Sequence, residues 1–183
     1  MNIATIKKFD IANGPGVRVS LFVSGCRHHC KNCFNKEAWD FNYGNPMTSE
    51  TEQEILDACD KDHITGLSLL GGEPFEKENR QGLISLTNKF RNRYPDKNVW
   101  CYTGFLLDEE LLKSDDSDVL ELLQNIDVLV DGRFVEELRS ASLLFRGSSN
   151  QRIIDVPKTL EKGEIVLLPG KWERTMGSGD IYE

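Results

Sequence analysis

The stretch VRVSLFVSGCRHHCKNCFN, residues 17–35, sets the reading of this chain. Residues 17–24 alternate and are rich in β-branched side chains, which predicts a strand. At its C-terminal end Cys26, Cys30 and Cys33 follow with the spacing C-x3-C-x2-C, and His28 and His29 stand among them. Cysteines this close on one loop can wrap around a single metal centre. Thiolate is the expected ligand of zinc and of iron–sulfur clusters alike. A structural zinc site is closed by four protein ligands, so His28 or His29 would have to complete it. An ordinary [4Fe-4S] cluster also takes four cysteines. Three thiolates leave one iron open to a small molecule with nitrogen and oxygen donors. A compact triplet without a second cysteine pair is unusual for a zinc finger. The spacing therefore favours iron–sulfur and keeps zinc as the alternative.

Working outward, Ser49 and Glu52 form a capping-box pattern ahead of a helical stripe of Ile55, Leu56 and Cys59. GLSLL, residues 66–70, predicts a buried strand that runs into Gly71-Gly72-Glu73-Pro74. Leu83, Leu86 and Phe90 mark a long helix that stops near Tyr94-Pro95. Residues 98–103 predict a third strand, broken at Gly104. One or two short helices are expected over 108–124, with Leu111, Leu112, Leu120 and Leu123 inward. Residues 127–132 predict a fourth strand; 152–156 and 164–168 are candidates for a fifth and a sixth. Strands that alternate with helices predict a mostly parallel sheet covered by helices. A closed eight-unit barrel typically needs ~250 residues. At 183 residues the expected fold is α/β, an open or partial β/α barrel of about five or six strands. Sites in such folds lie at the C-terminal ends of the strands. The cysteine loop, Gly71–Pro74, Thr103-Gly104 and Asp131-Gly132 all fall at such ends, so four unusual loops should gather on one face.

The formal net charge of −8 argues against nucleic acid, whose phosphates call for Lys and Arg. The composition, 39% hydrophobic and 28% charged, is that of a soluble globular protein. The first residues, MNIATIKKFDIANG, lack the apolar core of a signal peptide, and no run has the length of a membrane helix. A cytoplasmic protein that binds no membrane is expected. In that reducing setting clustered cysteines bind metal or do redox chemistry more often than they form disulfides. Cys59 on an apolar helical stripe and Cys101 within a strand read as core residues rather than ligands. The Gly71-Gly72 pair serves a tight turn, or close approach of bare backbone to an amino-acid ligand, with Glu73 placed to meet an ammonium or to orient the turn.

The pairing of C-x3-C-x2-C after the first strand with GGEP after the second resembles the radical S-adenosylmethionine (SAM) enzymes. Five blocks carry the resemblance further: NGPGVRVSLFVSGCRHHCKNCFNKEAWDF (13–41), LSLLGGEPF (67–75), WCYTGF (100–105), DVLVDGRF (127–134) and FRGSSNQRIID (145–155). In that order they are similar to the family of activating proteins of anaerobic ribonucleoside-triphosphate reductases. The resemblance implies a partial barrel of the radical SAM type over 1–156, with 157–183 as a C-terminal extension. Residues 173–183 carry few apolar anchors and read as a mobile tail. Their MGSGD, 176–180, reads as a flexible segment and not as a glycyl-radical site.

The same resemblance implies a chemistry. Cys26, Cys30 and Cys33 would hold a [4Fe-4S] cluster, and the amino and carboxylate groups of SAM would chelate the open iron. Reductive cleavage would give methionine and a 5′-deoxyadenosyl radical, which would take a hydrogen from a glycine of the large reductase. Asn32 and Phe34, beside the third cysteine, would lie near the adenine, although Asn32 stands where many superfamily members carry an aromatic. Gly71, Gly72 and Glu73 would meet the methionine amino group; Thr103 and Asp131 would contact ribose or carboxylate. Arg18, Arg133, Arg146 and Arg152 offer guanidinium groups suited to the SAM carboxylate or the partner's surface. A flavodoxin-type electron donor is implied. An activase of another glycyl-radical enzyme, such as formate lyase, is the nearest alternative, and a structural zinc module is the alternative outside enzymes.

Overall fold

A computed structural model describes residues 1–173 of the chain. The tail expected over 173–183, with its MGSGD segment, lies from residue 174 onward outside the described residues. Along the chain run β1 (Asn2–Asp10), β2 (Val17–Val23), β3 (Asn45–Pro46), α1 (Ser49–Cys59), β4 (Ile64–Gly71), α2 (Lys77–Arg93), β5 (Asn98–Tyr102), α3 (Ser117–Gln124), β6 (Val128–Asp131), β7 (Arg152–Asp155) and α4 (Val156–Lys162). They build one open seven-stranded sheet in the order β3-β1-β2-β4-β5-β6-β7. The inner strands β2, β4, β5 and β6 pair in parallel. Antiparallel pairs flank them on both sides, β1 with β2 and β3, and β6 with β7.

The alternation seen in residues 17–24 has a direct structural outcome, because successive side chains of a strand point to opposite faces. Val19, Leu21 and Val23 join Leu67, Leu69, Val99, Cys101, Leu129 and Ile154 in the main core, packed against α1, α2 and α3 through Ile55, Leu83, Leu86, Phe90 and Leu122. The opposite face holds a smaller cluster of Trp100, Val128, Val130 and Ile153, with Tyr102, Phe145, Leu168 and Trp172 packed on it. Trp100, Phe145 and Trp172 meet edge to face at 5.7–6.1 Å, a favoured aromatic geometry. Leu168 and Trp172 belong to the stretch after residue 156, and this stretch returns to the sheet. Leu168 donates its N–H to the Ile153 carbonyl and Asp155 donates to Val166, each at 2.9 Å.

Several sequence expectations change. The sheet has seven strands, not five or six, because β1 and the short β3 add an antiparallel edge that the pattern of lysines in NIATIKKFD conceals. Residues 164–168 contribute only an isolated bridge, Leu167 to Ile154. The helix cap is Thr48, which accepts the Thr51 N–H, and not Ser49. Leu112 and Leu120 are exposed at 41% and 48%, whereas Leu111, Val119, Leu122 and Leu123 are buried. The helix over 108–124 is interrupted: a π-helical turn spans Leu107–Leu111 and α3 starts afresh at Ser117, which resets the phase of the apolar stripe.

Candidate functional site

Because β2, β4, β5 and β6 are parallel neighbours, their C-terminal ends share one edge of the sheet. The loops that leave these ends are held together by hydrogen bonds between residues far apart in sequence. Gly72 and Glu73 donate their N–H groups to the carbonyls of Val23 and Gly25, at 2.7 and 2.8 Å. A Cβ on Gly72 would stand 2.4 Å from the Gly25 carbonyl oxygen, and one on Gly71, whose φ is +118°, would stand 2.6 Å from the Val23 backbone. Only bare backbone fits there, so the two glycines let the loop after β4 lie against the loop that carries the cysteines.

Glu73 is the hub of the edge. Its carboxylate is buried, with 1% of the residue's surface exposed. Oε1 accepts from the Phe75 N–H at 2.9 Å and the Thr103 hydroxyl at 2.8 Å. Oε2 accepts from the Gly104 N–H at 2.7 Å and lies 3.1 Å from His28 Nε2. Those contacts are the compensation that a buried carboxylate needs. Asp131 is likewise wholly buried. It accepts from the Leu107 N–H at 2.9 Å and takes both Nε and Nη2 of Arg152, with Nε at 2.9 Å. Arg152 reaches onward to Asp108 at 2.8 Å. Thr103 and Asp131 thus turn their side-chain oxygens toward protein partners and fix the loops after β5 and β6.

The cysteine loop leaves β2 under tight control. The N–H groups of Gly25 and Cys26 bond the carbonyls of Ala38 and Trp39 at 2.8 and 3.2 Å. Arg27 is pinned by Glu76, which accepts its backbone N–H at 2.8 Å and pairs with its guanidinium; Glu78 adds a second ion pair at 2.6 Å. Between the cysteines the chain turns twice through positive φ, at His29 (48°) and Asn32 (56°). Asparagine tolerates that region better than most residues, which gives Asn32 a backbone role in addition to its exposure. Cys33 closes a turn by donating its N–H to Cys30 at 3.1 Å. Phe34, just beyond, is 84% exposed.

All five cysteines are free. Cys26 is buried, and burial pushes its thiol up to about 12 against the opposing N–H groups of His28 and His29. Burial also raises Cys30. Thiols so placed ionise when a metal takes the charge. Among the described residues no three His, Cys, Asp or Glu side chains are drawn together closely enough for a single metal ion. A cube spreads its three thiolates over three different irons, and a donor set of three thiols on one loop, with no carboxylate or imidazole joining it, fits that group. His28, one of the two possible fourth zinc ligands, has both ring nitrogens engaged, with Glu73 and with Arg133. His29 is exposed and stacks on Trp39 at 4.5 Å. Cys59 and Cys101 lie buried in the main core.

The arginines divide. Arg133 reaches the site, donating from Nε to His28 Nδ1 at 3.1 Å. Arg152 serves Asp131. Arg146 donates to the Gln151 carbonyl at 2.9 Å and pairs with Glu173. Arg18 is at the opposite end of β2, about 20 Å along the strand from the cysteine loop. It is fully buried and donates to Ser68 Oγ and to the carbonyls of Leu67 and Asn98, at 2.7, 2.8 and 3.1 Å. A role for Arg18 in binding a carboxylate at the cysteine loop is therefore overturned. The hydroxyls of Ser20, Ser24 and Tyr102 are buried without a partner among the described residues.

A family model described as a 4Fe-4S single cluster domain matches residues 12–154. The chain is 42% identical over 153 residues to the anaerobic ribonucleoside-triphosphate reductase-activating protein of Escherichia coli (strain K12), covering 82% of this chain and 96% of that relative. It is 44% identical over 144 residues to the protein of the same name from Salmonella typhimurium, covering 78% and 90%. A third, from Enterobacteria phage T4, is 38% identical over 153 residues, covering 84% and 93%.

Proposed function

This chain belongs to the family of anaerobic ribonucleoside-triphosphate reductase-activating proteins, and we propose that it activates such a reductase as an iron–sulfur enzyme of the radical SAM type. In this reading the open sheet is a partial barrel, residues 1–156 carry the activity and 157–183 form an extension. Cys26, Cys30 and Cys33 hold a [4Fe-4S] cluster. The cluster and SAM supply, when bound, a reductive cleavage of the sulfonium and the hydrogen abstraction that leaves a glycyl radical on the reductase.

The chain's own residues bind and orient. The backbone of Gly71, Gly72 and Glu73 faces the methionine amino group, and the Glu73 carboxylate keeps that backbone in place. Phe34, exposed beside Cys33, offers a face to the adenine, with Asn32 setting the turn between them. Thr103 and Asp131 border the ribose and carboxylate end from loops that they themselves hold rigid. The observation that carries the reading is the convergence of three strand-end loops, those after β2, β4 and β5, on the buried carboxylate of Glu73, with the cysteine loop among them. Such order suits chemistry that must keep water and stray C–H bonds away from a reactive species. A flavodoxin-type protein is the proposed electron donor and the cytoplasm the proposed location; no helix of the described residues is long and apolar enough to cross a membrane.

The test is anaerobic incubation of the reconstituted protein with the large reductase, SAM and a reductant. A glycine-centred radical should appear on the reductase by electron paramagnetic resonance (EPR). Its absence with a fully loaded cluster would contradict the proposal.

A further inference from the structure

We propose that His28, set between the first two cysteines, is not a ligand but the positioning residue that latches the cysteine loop to the loops after β4, β5 and β6. Four observations carry this. The imidazole side chain is only 7% exposed although it stands on a loop between exposed Arg27 and exposed His29. Its Nδ1 accepts from Arg133 Nε at 3.1 Å, which leaves the proton on Nε2, and Nε2 lies 3.1 Å from Glu73 Oε2. The ring packs edge-on against Phe105, with centroids 4.4 Å apart. A Cβ on Gly104 would come within 2.4 Å of the ring, so the loop after β5 is shaped to admit it.

One side chain therefore meets the loops after β4, β5 and β6 while its own backbone belongs to the loop that follows β2. Glu73 links it further, because the oxygen that faces His28 also accepts the Gly104 N–H. The latch fixes the distance between the three thiols and the backbone of Gly71–Glu73. Its consequence for ligand binding rests on the proposed reading of the site, in which those two parts grip the same small molecule. A water-exposed histidine of loop-shaping type would not show this enclosure, and a ligand histidine would not have both nitrogens engaged by protein partners.

The experiment has two arms, applied to His28→Leu, His28→Gln and Gly104→Ala, with Cys30→Ser as the ligand-loss reference. In the metal-free protein, amide hydrogen exchange is read at Gly104 and Phe75. His28→Leu and Gly104→Ala should each speed exchange at least tenfold, and His28→Gln, whose amide can still donate to Glu73, should stay within about threefold of the parent. Unchanged exchange in His28→Leu would overturn the latch, as would a His28→Gln as fast as His28→Leu. In the reconstituted protein, iron content and the midpoint of a SAM titration are read. His28→Leu should keep its iron, unlike Cys30→Ser, and should raise the SAM midpoint at least tenfold. Iron loss equal to that of Cys30→Ser would make His28 a ligand and overturn the proposal. If the parent itself shows no response to SAM, the proposed function fails, and the latch stands or falls on the exchange arm alone.

Discussion

Thr103, the first residue after β5, donates its hydroxyl to Glu73 Oε1 at 2.8 Å, and both residues are at least 95% buried. The bond joins two loops 30 residues apart in sequence and gives a motif glutamate a structural task. Thr103→Val keeps the shape and removes the donor. A net hydrogen bond to a charged acceptor is worth roughly 1.5–3 kcal/mol, and Glu73 keeps other donors. A loss of about 1–2 kcal/mol in urea denaturation is expected, and Glu73→Gln should lose more, about 2–3 kcal/mol, because its amide turns a donor toward donors. A Glu73→Gln protein as stable as the parent would contradict the hub.

Asp131 and Arg152 form the second fastening. Asp131→Asn leaves Arg152 with Asp108 only. Removing one partner of a fully buried pair costs about 3–5 kcal/mol. Arg152 is partly exposed, so about 2–3 kcal/mol is expected by the same measurement. Hydrogen exchange should quicken at the Leu107 amide, which Asp131 accepts.

Gly72→Ala tests the contact between the two loops. Its Cβ would meet backbone atoms, which cannot swing aside as a side chain does. Overpacking typically costs about 1–3 kcal/mol, and the upper end is expected here. The variant should also hold less iron after reconstitution, since the neighbouring loop carries the cysteines.

Cys59 and Cys101 should be bystanders. Burial pushes the Cys59 thiol up to about 12 and raises Cys101 well above its ordinary value. Neither should react with iodoacetamide in the native metal-free protein near pH 8, and Cys59→Ser and Cys101→Ser should keep a full complement of iron. Loss of iron in either variant would add a ligand to the three proposed.

Much of the fold is legible because residues 17–24, 66–70 and 98–103 carry β-branched and apolar side chains in short runs that each stop at a glycine. The parallel order of their strands then brings the strand-end loops to one edge without further information. β1 escapes notice because β3 pairs only with its first two residues, Asn2 and Ile3, and further along Lys7 and Lys8 remain in solvent, which dilutes its alternation. The start of the π-helical turn is anchored by a distant partner, because Asp131 takes the Leu107 N–H from 24 residues further along the chain. No local propensity signals it. The same holds for His28, whose partners stand 45 and 105 residues away. A reading of the loop alone leaves it between a ligand and a bystander. Glu73, Thr103 and Asp131 stand out by their positions at strand ends, but the direction in which each side chain turns is a tertiary property.

The central claim is that the three-cysteine loop holds a cluster whose open iron receives SAM. Anaerobic EPR of the reconstituted, reduced protein, recorded with and without SAM, tests it most directly. The expected result is a reduced-cluster signal whose shape and g-values change when SAM is added. A reduced-cluster spectrum left unchanged by saturating SAM would contradict the claim.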